Sequence, residues 1–243
     1  MKKILIALGA LALVALNLFL VTFFLHLHLL NRDIRPLPTG VAIEEPRRKA
    51  NQDIRRLFVE IDRYCAQTGI RYYDTGTTDY CMMGEHDFRF DTDYENRCRY
   101  LVTKYYGFRG DFRVAMVRLD SALVASGWTR DAGGIPNLLS ECYDPHYGPD
   151  RPKPANFPRQ YLVQNFPNVS YARDAFRLMI RSQEADSTGK AFVLRFEELR
   201  LNPDDLSYQD VHAVDSDSLV PVILETNRYV LVIGIVREPY FVN

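Results

Sequence analysis

The residues from Ile4 to Leu25, ILIALGALALVALNLFLVTFFL, carry no charged side chain and are interrupted only by Gly9, Asn17 and Thr22. As an α-helix rising 1.5 Å per residue, such a run extends roughly 33 Å, enough to cross a hydrocarbon core of about 30 Å. A cleaved signal peptide has a shorter apolar region, about 7 to 15 residues, and ends at a site of small residues. Here the run continues through Phe23, Phe24, Leu25, His26, Leu27, His28 and Leu29 with no small pair. Residues 1–30 are therefore expected to be an uncleaved transmembrane signal anchor that meets the lipid bilayer through residues 4–25.

The flanking charges give conflicting signals about sidedness. Lys2 and Lys3 precede the run, while Arg32, Arg35, Arg47, Arg48 and Lys49 follow it. A count of basic residues places the C-terminal part inside. Large domains, however, translocate with little regard to charge, and a short basic head before an apolar run is the usual form of an export signal. The four cysteines, all between positions 65 and 142, suit an oxidising compartment. The expectation is a single-pass protein with its C-terminal domain extracytoplasmic. With 30 basic and 31 acidic side chains, the chain offers a polyanion no global attraction, so nucleic acid is not an expected partner.

Beyond the anchor, residues 31–46 contain Pro36, Pro38 and Pro46 with no sustained apolar period and read as a stalk. The folded domain is expected over 47–243. Lys49 to Gln67 predicts an amphipathic helix, with Ile54, Leu57, Phe58, Ile61 and Cys65 on one face and Gly69 as its stop. Its other face holds Arg55, Arg56, Glu60 and Arg63, and a solvated face outweighs a membrane-surface role. A second helix is predicted from Asp111, a candidate N-cap, to Gly127, with Trp128 folding back as a hydrophobic closure.

Strands are predicted at Tyr80–Met83, His86–Phe90 and Arg97–Tyr106, where aromatic residues dominate. Alternation predicts an antiparallel pair between 176–181 and 192–196. A further pair is expected between Leu219–Glu225 and Tyr229–Val236, the second being apolar on both faces and hence central. The proline-rich stretch 144–158 is either a surface loop or a division within the domain. Together these features predict an α+β class: a transmembrane helix followed by a mainly antiparallel sheet with two amphipathic helices.

The chemically richest stretch is Tyr80–Tyr100, YCMMGEHDFRFDTDYENRCRY. Asp91, Asp93 and Glu95 resemble the start of a calcium loop, but Asn96 stands where an EF-hand needs glycine and Val102 where it needs glutamate. Cys81, His86 and Cys98 are competent zinc ligands without the paired short spacing that makes a zinc signal specific. The favoured reading is a hairpin cross-linked by Cys81 and Cys98, with Cys65 and Cys142 as the second pair. No metal or cofactor is expected.

Tyr72, Tyr73, Tyr80 and Trp128 form a candidate binding face, weighed against the simpler role of filling a sheet. Cys142 and His146 are separated by Pro145, which prevents an ordered helical pair. His212 with Asp210 or Asp215 could contribute to a triad, although VHAVDSDS reads first as an acidic surface loop. The chain has no G-x-S-x-G elbow, H-E-x-x-H helix or glycine-rich phosphate loop. The functional expectation is a membrane-anchored noncatalytic domain that binds an envelope protein or glycan. The alternative is a membrane-tethered hydrolase with a site assembled from distant His, Asp and Glu residues.

Overall fold

The computed structural model describes residues 41–84, 96–131, 133–144, 168–184 and 206–242. The expected anchor, most of the stalk, the His86–Phe90 and 192–196 strands and nearly all of the proline-rich stretch lie outside these residues. Among the described residues, no helix is long and apolar enough to cross a membrane.

Among the described residues seven strands form one sheet, antiparallel at every pairing: β1 (Arg71–Met83), β2 (Asn96–Phe108), β3 (Thr129–Asp131), β4 (Val169–Arg173), β5 (Phe176–Glu184), β6 (Leu206–His212) and β7 (Tyr229–Val242). Their spatial order is β3-β4-β5-β7-β2-β1-β6. Strands from both sides of the proline-rich stretch thus share one sheet. β7 lies at its centre because Tyr229 to Val236 is buried on both faces, as its unbroken apolar pattern requires. The expected pairing of 176–181 with 192–196 is not what forms over Phe176–Ile180, since β4 and β7 occupy both sides of β5 there.

Helix α1 (Val41–Gln67) packs on β7, β2 and β1. Its buried stripe comprises Ile43, Ala50, Ile54, Phe58, Ile61 and Cys65. The helix begins within the expected stalk and takes Pro46 into its second turn; extending it this far buries Ile43. It ends as the sequence predicts: Gly69 adopts a φ of 76°, and the Ile70 N–H closes on the Cys65 carbonyl at 2.8 Å.

Helix α2 (Phe112–Ala125) starts at Asp111, whose carboxylate accepts the Val114 N–H at 2.8 Å. Gly127 and Trp128 close it, with the Trp128 N–H on the Leu123 carbonyl at 3.0 Å and the indole buried. A short helix α3 (Gly134–Asn137) leads into a wider helical turn, Leu138–Tyr143. Asp120 of α2 binds Arg130 of β3 through both carboxylate oxygens and accepts the Tyr171 hydroxyl of β4 at 2.7 Å. The Tyr171 oxygen in turn accepts the Ile135 N–H, so one network, buried at Asp120 and Tyr171, joins two helices to the sheet edge.

Ser216–Thr226, expected to contain a strand, is instead helix α4. Asp215 caps it, accepting N–H groups of Asp217 and Ser218, and Val220, Ile223 and Leu224 then face inward at helical spacing. They pack with Tyr105, Val230 and Val232 on the sheet face opposite α1. Gly107 permits the close approach, because a Cβ there would stand 2.6 Å from Ile223 and 2.7 Å from Asn227.

Candidate functional site: a polar cleft beside the first helix

A β-bulge fixes which side chains of β1 face α1. Tyr72 pairs with Tyr106, but the register then slips so that Asp74 pairs with Tyr105. The slip reverses the phase: before it Tyr72 faces α1, and after it Thr75, Thr77, Asp79 and Cys81 do so. Beyond β1, strand β6 sets Asp210 opposite Asp79 and His212 opposite Thr77.

The result is an open cleft of about 450 Å³ between the N-terminal half of α1 and the β1–β6 edge. Glu44, Arg47, Arg48 and Asn51 line its helical wall. Thr77, Asp79, Tyr100, Asp210 and His212 line its sheet side. At its floor Asp79 is only 3% exposed. Its Oδ1 accepts the Tyr240 hydroxyl at 2.8 Å, and its Oδ2 stands 2.5 Å from Arg47 Nε. Burial raises the Asp79 carboxyl above the ordinary 3.8; Tyr240 and Arg47 offset this only in part, and the facing Asp210 adds to it. Burial likewise raises the Tyr100 and Tyr240 hydroxyls, so both are neutral donors at physiological pH.

At the rim His212 Nε2 lies 3.8 Å from Asp210 Oδ1, and the His212 side chain is 80% exposed. The sequence pairing of His212 with Asp210 is therefore spatially real, while Asp215 is occupied as the α4 cap. Among the described residues, no three His, Cys, Asp or Glu side chains are grouped to hold a metal ion.

The other sequence candidates separate. Cys81 and Cys98 form a disulfide between directly paired positions of β1 and β2, which leaves neither thiolate free for a metal. Cys65 is a free buried thiol on the inner face of α1, so the expected Cys65–Cys142 bridge is not made. Burial pushes the Cys65 thiol up to about 12, with the nearby Asp62 carboxylate reinforcing the shift.

The four aromatics do not share a face. Tyr72 packs edge-on against Tyr106 on the α1 side. Tyr73 packs against the α4 cluster, its hydroxyl accepting from Asn227 Nδ2 at 2.6 Å. Tyr80 and Trp128 are buried. The strand phase and the bulge, neither visible in the density of tyrosines, account for this dispersal.

The sequence reading also missed Arg47, Asn51, Asp79, Tyr100 and Tyr240 as site residues. The one local signal is Asp79 itself, a carboxylate amid an aromatic strand at the position that pairs with Tyr100. No protein-family model, curated protein or solved structure matches the chain.

Proposed function

We propose that this is a membrane-anchored, noncatalytic extracytoplasmic domain that binds an envelope protein or glycan in the cleft beside α1. The observation that carries the reading is the cleft's construction. At its floor Asp79 is held by Arg47 of the helical wall and by Tyr240 from behind, while its rim presents exposed donors and acceptors. The ion pair and the hydrogen bond on Asp79 fix the floor, and a mixed polar rim suits hydroxyls and amides better than an apolar ligand. The disulfide between Cys81 and Cys98 supports placement in an oxidising compartment.

A second reading has its own observation. Thr77 is the register partner of His212, which lies beside Asp210, so a hydroxyl, an imidazole and a carboxylate share one edge of the cleft. This is the arrangement a tethered hydrolase would exploit. The binding reading is preferred because His212 is solvated and stands 3.8 Å from Asp210, beyond the hydrogen-bond distance at which a carboxylate orients a catalytic imidazole.

Two substitutions in the full chain separate the readings. Asn51→Trp fills the cleft and is expected to abolish partner capture, while His212→Ala is expected to weaken it by a few-fold at most. Turnover of an ester, phosphoester or glycoside that disappears in His212→Ala would overturn the binding reading in favour of hydrolysis.

A further inference from the structure

Helix α1 sorts its charges by direction. Its acidic residues between positions 50 and 65 turn toward the sheet and are neutralised there. Asp53 meets Arg237 at 2.9 Å, Glu60 meets Arg173 at 3.1 Å, and Asp62 meets Lys104 at 2.7 Å. Asp62 also accepts the Tyr106 hydroxyl at 2.8 Å. From Lys49 onward the basic residues of the same helix point the other way, Arg56 keeping a 3.7 Å contact with Asp53. At about 100° per residue, Lys49, Gln52, Arg55, Arg56, Val59 and Arg63 fall within an arc of about 120°, and all six are exposed. Val59, 58% exposed, stands amid Arg55, Arg56 and Arg63. The exposed acidic side chains, Glu44 and Glu45, are confined to the first five residues of the helix, and Glu45 pairs with Arg48.

A helix that was merely solvated would have no reason to spend its carboxylates on sheet cations and leave a one-sign stripe outward. We infer that the outer face of α1 is a docking surface for the anionic lipid headgroups of the bilayer in which residues 4–25 are anchored. Three observations select lipid as the occupant. The stripe is narrow and convex, running about 21 Å from Lys49 to Arg63 along the helix axis, which suits contact with a surface better than a groove-bound polymer. It carries one apolar side chain at its centre, suited to the boundary between headgroups and acyl chains. Residues 26–40 cannot reach beyond about 50 Å even when fully extended, which bounds how far a bilayer holding residues 4–25 can lie from the start of α1. Tethering turns the contact into an intramolecular event, for which a few basic side chains suffice.

The inference rests on the anchor but not on the cleft. Its test uses the full chain reconstituted in vesicles of phosphatidylcholine, with or without phosphatidylglycerol. Val59→Cys, in a Cys142→Ser background, carries an environment-sensitive fluorophore; Cys65 is buried and the remaining cysteines are bridged. A control label replaces Val222 of α4, which is 52% exposed and belongs to the helix packed on the opposite sheet face.

In phosphatidylglycerol vesicles the label at 59 should brighten roughly twofold and be quenched by nitroxide lipid, as expected for a probe drawn into the interface. High salt, or Arg55→Glu with Arg63→Glu, should reverse the change, and the label at 222 should stay silent. An identical signal at 59 in both vesicle types would overturn the inference. So would a response in neutral vesicles to added heparin or DNA, which would assign the stripe to a soluble polyanion. Retention of the chain through an alkaline wash reports the anchor separately. If retention fails, low-salt cosedimentation with the same vesicles still decides the stripe: lipid-dependent binding lost in the Glu variants supports it, and none refutes it.

Discussion

Tyr240 of β7 donates its hydroxyl hydrogen bond to Asp79 of β1 at 2.8 Å, across the width of β2, with both side chains buried. This contact ties the far end of the central strand to the floor of the cleft. Replacing Tyr240 with Phe leaves a buried carboxylate oxygen without that donor, at a cost of about 1–3 kcal/mol. Urea unfolding near neutral pH measures the loss.

The same carboxyl sets a pH dependence. Because the folded-state value of Asp79 lies above 3.8, between the two values the folded protein holds a proton there that the unfolded chain has released. Its contribution to stability is present below the unfolded value and is lost as pH rises through the folded one. Asp79→Asn should flatten the decline in stability across that window, as read from unfolding midpoints at successive pH values.

Asp120 behaves in the opposite sense. Burial alone would raise it, but the Arg130 guanidinium and Tyr171 hydroxyl together hold it below 3.8. Its contribution is therefore present above the unfolded value and lost as pH falls through the lowered folded one. Asp120→Asn should remove this acid-side loss. Tyr171→Phe breaks the hydrogen bond to Asp120 and leaves the Ile135 N–H unpaired, costing about 1–3 kcal/mol by urea unfolding.

Gly107→Ala probes the seat of α4. The added methyl meets Ile223 and Asn227 well inside contact distance, so α4 must shift. The expected cost is about 1–3 kcal/mol, with faster amide hydrogen exchange across Val220–Thr226 while α1 keeps its protection.

The cysteines should differ in reactivity. Reduction of the Cys81–Cys98 bridge is expected to cost about 3 kcal/mol by relaxing a constraint on the unfolded chain. The Cys65 thiol, held protonated by burial up to about 12, should resist maleimide in the folded protein and react once it unfolds. Peptide mapping after labelling with and without urea reads both.

What the sequence made legible followed periodicity and punctuation. Both long helices, their glycine stops, the Asp111 cap and the central strand at Tyr229 are local signals that tertiary structure had no cause to override. The disulfide was readable because its two cysteines lie on the two flanking strands predicted at Tyr80–Met83 and Arg97–Tyr106. Leu219–Glu225 misled because a short, branched apolar run fits a buried strand and a helix alike; the deciding signal was the Asp215 cap. The cleft was mostly hidden. His212 and Asp210 are close in sequence, but Arg47, Asp79 and Tyr240 meet only through strand order, and unbroken alternation from Tyr72 would have put Asp79 on the face away from α1, where the bulge brings it round. Long-range register of this kind is not written in any local pattern.

The central claim, that the cleft beside α1 binds an envelope component without transforming it, is tested most directly by site-specific photo-crosslinking of the full chain in its own membrane. A photoreactive residue at His212 should yield a discrete adduct with one envelope protein or glycan. Asn51→Trp should abolish that adduct, and a photoreactive residue at Val222 should give none. No adduct from His212, or the same adducts from both positions, would contradict the account.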